Sequence, residues 1–145
     1  MKVVIDTNII FSVLLNSESS IGDLIFNSQR KFEFYSCAYM RNEIRTHWDK
    51  LKKISNLSED QLQTSFTLVL SSLKFINEEI IPVETWLASE KTLEKIDPDD
   101  IDFVALAEFL EAVLWTGDKV LYKGLKSQGF NKLVNTAELL DLRKA

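Results

Sequence analysis

The sequence predicts an α/β fold in three layers, α/β/α, with a mainly parallel central sheet of four to five strands. Two observations predict it. Short β-branched or aromatic runs alternate with segments of helical period along the chain, the pattern of strand–helix–strand units. Acids also stand where two of those runs end, at Asp6 and Asp118, the edge beyond which ligands gather in parallel sheets.

Lys2 to Ile5 is the first strand, cut off at Asp6-Thr7-Asn8 and followed by a helix to about Leu15. A second helix covers Ser20 to Ser28, and Phe32 to Tyr35 is the next strand. Ser36 is placed to cap the following helix, in which Met40, Ile44, Trp48 and Leu51 recur at helical spacing. Ser58-Glu59-Asp60-Gln61 has the form of a capping box, and Leu62, Phe66, Val69, Leu70 and Leu73 then mark an amphipathic helix. Ile80 to Pro82 is a strand candidate, ahead of a helix over Glu84 to Ile96. Asp97-Pro98 signals a helix start; residues 101–112 are apolar on nearly every side except Glu108 and Glu111, as a central, buried helix requires. Val113 to Trp115 is a strand ending in Thr116-Gly117-Asp118, followed by a short helix to about Ser127. Lys132 to Val134 closes the sheet, and Asn135-Thr136-Ala137-Glu138 caps the last helix.

With 145 residues, four Gly, two Pro and no low-complexity stretch, one domain spanning residues 1–145 is expected. No apolar run reaches the roughly 18 residues that span a bilayer. The opening meets Asp6 too early for a secretory signal, and Cys37 has no partner for a disulfide. A reducing cytoplasm is the expected compartment, with Cys37 a small buried residue. Acids outnumber bases, 22 to 17, for a net charge of −5. That balance argues against gripping nucleic acid by bulk charge. It fits acids gathered in one place around divalent cations.

Asp6 alone is explained equally well as a helix cap, and Glu43 alone as a solvated helix residue. His47, one turn beyond Glu43, lacks the Cys or second His that a zinc site needs, and reads as a surface residue. The run Asp97-Pro98-Asp99-Asp100-Ile101-Asp102 is harder to explain as ordinary structure. One or two acids complement a helix dipole, at a fraction of a kcal/mol each. Four in six residues repel, and a pair about 4 Å apart does so by roughly 4 kcal/mol at an effective dielectric near 20. A bound cation turns that repulsion into affinity. Three separated acidic segments meeting at one sheet edge make a hard-oxygen site suited to Mg²⁺ or Mn²⁺.

Taken together these motifs resemble a PIN domain, over essentially the whole chain. Val4-Ile5-Asp6-Thr7-Asn8 matches the family's opening strand and Asp-Thr-Asn, and Glu43 in Tyr39-Met40-Arg41-Asn42-Glu43-Ile44 matches its helical Glu. Asp100, heading Ile101-Asp102-Phe103-Val104-Ala105-Leu106-Ala107, matches its Asp before an Ala-rich helix, and Thr116-Gly117-Asp118 its Thr-x-Asp strand end. Asp102 stands where Pro is frequent and is a further candidate ligand. Residues two apart on a helix point to nearly opposite sides, so both can face one metal only if the helix starts between them.

The resemblance implies a Mg²⁺- or Mn²⁺-dependent endoribonuclease, as in toxins of VapC type and RNA-processing PIN nucleases. In that role Asp6, Asp100 and Asp118 hold metal, Glu43 ligates directly or steers the water, and Asn8 and Thr116 support them. Lys119, Lys123 and Lys126, and Arg41 and Arg45, are candidate contacts to RNA phosphates. A toxin role implies an antitoxin protein as partner, and Trp48, Trp86 and the apolar faces near them are expected to support a homodimer. Two other readings compete with this one. A haloacid-dehalogenase-like phosphohydrolase needs a second Asp where Asn8 stands. A catalytically silent PIN scaffold binding RNA or protein has no need for all four acids.

Overall fold

The structure is a computed structural model describing residues Met1–Ala145. Five strands, Lys2–Ile5 (β1), Glu33–Cys37 (β2), Lys74–Ile76 (β3), Val113–Trp115 (β4) and Leu133–Val134 (β5), form one sheet in the order β3-β2-β1-β4-β5. Every neighbouring pair is parallel. The helices are Thr7–Leu15 (α1), Ser20–Asn27 (α2), Ala38–Thr46 (α3), Trp48–Ser55 (α4), Glu59–Ser71 (α5), Val83–Leu93 (α6), Ile101–Leu110 (α7), Lys119–Ser127 (α8) and Thr136–Lys144 (α9). Crossovers β1→β2→β3 run to one side of β1, and β3→β4→β5 to the other. Since parallel crossovers are right-handed, α1 to α5 cover one face and α6 to α8 the opposite one, giving the three layers expected. No single helix is long and apolar enough to cross a membrane.

Burial explains the elements. Val3, Val4 and Ile5 of β1 have no exposed surface, as a central strand covered on both faces demands. In α7, Phe103 through Ala107 are buried in succession, so this helix lies across the sheet, against β1, β2 and β4. The capping boxes of α5 and α9 both form, through Ser58 with Gln61 and Asn135 with Glu138.

Four local expectations need correction. The third strand is Lys74–Ile76, whereas Ile80 lies largely exposed and closes a 3-10 turn, Glu78–Ile80, that Asn77 caps. The helix through Met40, Ile44, Trp48 and Leu51 breaks at His47, yet all four apolar residues remain buried because the bend swings Trp48 onto Phe66. Ser36 is buried and does not cap α3; the Glu78 carboxylate does, accepting from the Ala38 and Tyr39 amides at 3.3 and 3.0 Å. Trp48, expected on a dimer face, is inside, with its Nε1–H donated to Glu59.

Candidate metal centre

In the strand order, β1 and β4 flank the point where chain direction across the sheet reverses, the usual ligand crevice of a parallel sheet. Ile5 and Trp115 are in register, so the residues that follow, Asp6 and Thr116, emerge side by side. Asp6 both caps a helix and faces this crevice. Its Oδ1 accepts from the Ile9 amide at 3.1 Å, starting α1. Its Oδ2 is buried and makes no hydrogen bond of good geometry, although the Thr116 hydroxyl lies close enough to favour its charged form. Burial pushes the carboxyl up to about 6. The Thr116 hydroxyl and the Ile9 and Asn8 amides oppose that rise, and the charge of Asp118 adds to it. An unbonded buried acceptor costs roughly 1–3 kcal/mol, and a cation beside Oδ2 removes that cost.

Asp118 is fixed twice. Its amide donates to Thr116 Oγ1 at 3.0 Å, and its Oδ1 accepts from the Val120 and Leu121 amides at 2.9 and 3.1 Å, capping α8. Thr116 is 1% exposed, which makes it a rigid link between the two strand-end acids. Glu43 reaches the crevice from the middle of α3. Its Oε1 accepts the Thr7 hydroxyl at 2.6 Å, and burial raises its pKa against the pull of that bond.

Pro98–Asp100 is a 3-10 turn, and α7 begins at Ile101, so a helix start does fall between Asp100 and Asp102. Asp100 makes no capping bond. Burial, then the charges of Asp97, Asp6, Asp118 and Glu43, push it up to about 7. Asp102 has different company: burial raises it to about 6, followed by the charge and hydrogen bond of Glu78 and the charge of Glu43. Asp6, Glu43, Asp100 and Asp118 therefore share one electrostatic neighbourhood, while Asp102 lies on its Glu43 side, against Glu78. Ligand atoms of Cys37, Glu78 and Asp102 lie within 4.8 Å of one another.

The donor chemistry of the first group suits a divalent cation, although only Cys37, Glu78 and Asp102 bring three ligand atoms within 4.8 Å of one another. All four side chains are hard carboxylates, and one offers a buried oxygen without a well-formed hydrogen bond. Two positions near the centre carried less obvious signals. Thr7, which holds Glu43, sits inside the Asp6-Thr7-Asn8 run; Glu78 carried no sequence signal, because its partners lie 39 and 40 residues away.

The basic candidates divide. Arg41 lies over Phe75, and Arg45 over Trp48 while donating to Gln63, so both are held by other contacts. Lys126 stacks on Tyr122. Lys119 and Lys123 instead line a cleft of about 460 Å³ with Thr116, Asp118 and Thr136. On the other flank, Asn8, Phe11, Leu15, His47 and Ile54 line a more apolar cleft of about 300 Å³ between α1 and α4. Asn8 is exposed at its mouth, and His47, on the surface as expected, meets Phe11 edge-on.

A family model described as PIN domain matches residues 4–138. Among solved structures, a chain from VapBC2 of Rickettsia felis, bound to a DNA fragment from its promoter, superposes with a TM-score of 0.74 at 19% identity, covering 93% of this chain and 98% of that one. PAE2754 from Pyrobaculum aerophilum superposes with a TM-score of 0.69 at 16% identity, covering 100% of this chain and 91% of that one. At such identities the likeness is one of fold. No curated protein matches the chain in sequence.

Proposed function

The chain belongs to the PIN-domain family, and from that premise we propose that it is a Mg²⁺- or Mn²⁺-dependent endoribonuclease, acting as the toxin of a type II toxin–antitoxin pair. The observation that carries this reading is the buried Oδ2 of Asp6, without a well-formed hydrogen bond, in the shared field of Asp100 and Asp118. Asp6, Asp100 and Asp118 would hold the cation, with Glu43 at the edge of the set. When bound, the cation supplies Lewis-acid chemistry, acidifying water and stabilising the leaving 3′ oxygen.

The protein side chains do the rest. The Thr7 hydroxyl fixes Glu43 Oε1, which leaves Oε2 to orient the attacking water and take its proton. Thr116 holds the Asp118 backbone and stands beside Asp6, keeping the two strand-end carboxyls in place. Asn8 contributes its amide to the Asp6 charge. A silent scaffold would carry the repulsion of these acids with no return, which favours the catalytic reading. The VapBC2 name of the Rickettsia felis neighbour favours an antitoxin protein as partner.

The test is cleavage of RNA with Mn²⁺ or Mg²⁺ by wild type and Asp6→Asn, alongside growth of cells expressing each. We expect cleavage and growth arrest from wild type alone, both lost with the substitution, and cleavage lost in EDTA. Asn is as good a helix cap as Asp, so circular dichroism should show the variant folded. Equal cleavage by the two proteins would sink the assignment.

A further inference from the structure

We propose that the cleft between α8 and the start of α9 is the subsite for an RNA phosphate flanking the scissile one, gripped by Lys119 and Lys123. The proposal rests on the nuclease reading and adds to it how an acidic protein holds a polyanion.

Three observations lead there. First, the cleft begins at the candidate centre itself: Thr116 and Asp118 form one wall, so a strand whose scissile phosphate lies at the carboxylates continues into it. Second, Lys119 and Lys123 stand one helical turn apart on α8, and both are exposed and line this cleft. The ion pairs in the molecule are Lys52–Glu59, Lys74–Glu33 and Arg143–Asp23, so neither cleft lysine is already neutralised. Third, the other basic candidates near the crevice are held elsewhere: Arg41 and Arg45 rest on aromatic rings and neither lines this cleft. With a net charge of −5, the protein lacks a broad cationic surface. Local pairs of free ammonium groups are then the means of attracting phosphate.

The remaining lining agrees with an anion. Thr136 and Ala137, the first residues of α9, border the cleft, and the positive end of that helix opens toward it. The apolar cleft on the opposite flank has a single lysine, Lys50, among mostly apolar side chains, and lacks this character.

A terminal phosphate and an internal phosphodiester present the same oxygens, so both belong in the test. The probe is a fluorescent single-stranded oligoribonucleotide, made with either a 5′-hydroxyl or a 5′-phosphate. Its binding to Asp6→Asn, in Mg²⁺, is read by anisotropy across a salt series. Adding Lys119→Gln and Lys123→Gln should weaken binding by about tenfold near 0.1 M salt and flatten the salt dependence by about 0.7 in log–log slope per lysine. Lys2→Gln, exposed at the opposite edge of the sheet, should change neither. Equal losses with both probes assign the site to an internal phosphodiester, and a loss confined to the 5′-phosphate probe assigns it to a strand end. Unchanged affinity and slope in the double lysine variant would overturn the subsite while leaving the nuclease reading intact, provided wild type still cleaves. Absence of cleavage by wild type would overturn both.

Discussion

Two groups of acids meet at the head of α7, around Asp100 just before its first residue and Asp102 in its first turn, and they do opposite things with their oxygens. Burial and then the charges of Asp97, Asp6, Asp118 and Glu43 raise the proton affinity of Asp100, and Asp6 leaves a buried oxygen without a well-formed hydrogen bond. Around Asp102, Glu78 gives its oxygens to the Ala38 and Tyr39 amides at the head of α3. Burial works against the Glu78 charge, yet these amide bonds hold its carboxyl below the usual range. Burial and the charge of Glu78 push the neighbouring Cys37 thiol up, and a neutral thiol is a poor ligand for a hard cation. In the second group Glu78 is bonded as a helix cap, with Asp102 raised beside it; in the first, the buried oxygen of Asp6 has no such bond. Satisfaction of the oxygens, more than density of acid, separates the proposed metal site from the cap.

The largest effect should come from substituting the two acids at the head of α7. Asp100→Asn should lower metal-dependent RNA cleavage by more than about a hundredfold, beyond the 10- to 100-fold typical of groups that only orient a ligand. Asp102→Asn should stay within about threefold of wild type, below that range. Initial rates at saturating Mn²⁺ decide it, and equal losses in the two variants would erase the distinction between the groups.

A smaller effect, on stability, tests the same contrast. Burial raises Asp6 to about 6 and Asp100 to about 7. In the unfolded chain both ionise near their ordinary value, 3.8. Between about pH 4 and 7 the native state therefore holds more protons, so stability falls as pH rises through that window. Melting temperatures without metal should decline from pH 4.5 to 7.5, with Asp6→Asn and Asp100→Asn showing a flatter decline. Mn²⁺ binds the ionised carboxylates, so adding it at pH 7.5 should raise the wild-type midpoint and leave that of Asp6→Asn unmoved. A wild-type midpoint that climbs with pH in the absence of metal would contradict the burial of these acids.

The parts of this arrangement legible in the sequence are those written locally. Asp6 and Asp118 follow strands of strong β-branched or aromatic character, and parallel strands bring their carboxyl ends to one edge. The four acids of 97–102 announce an excess of charge, but which one turns toward Asp6 depends on where a 3-10 turn hands over to α7, within two residues. Periodicity does not resolve a boundary that fine. The edge strand Lys74–Ile76 was hidden for a related reason: it is three residues long, half-buried, and follows directly on an amphipathic helix, while the apolar Ile80-Ile81-Pro82 offered a better imitation of a strand. Trp48 read as surface because its partner Phe66 lies on the following helix. The Thr7–Glu43 and Glu78–α3 contacts span 36 to 40 positions, and only the folded chain shows them.

The smallest effect isolates the satisfied group. Glu78→Gln keeps one carbonyl oxygen for an α3 amide and removes the charge that favours a helix N-terminus. The loss should be about 0.5–1 kcal/mol, at the low end for a helix cap, or a few degrees or less in melting temperature for a chain of this size. Part of it is offset, because Asp102 no longer faces a neighbouring carboxylate, and its apparent pKa, followed by carboxyl NMR, should move down toward the ordinary range. Glu43 sits farther along α3 and is fixed independently by Thr7, so cleavage should be nearly unchanged. If Glu78→Gln cut cleavage as deeply as Asp100→Asn, the cap and the metal centre would have to be treated as one constellation of acids, with Asp102 and Glu78 among its ligands.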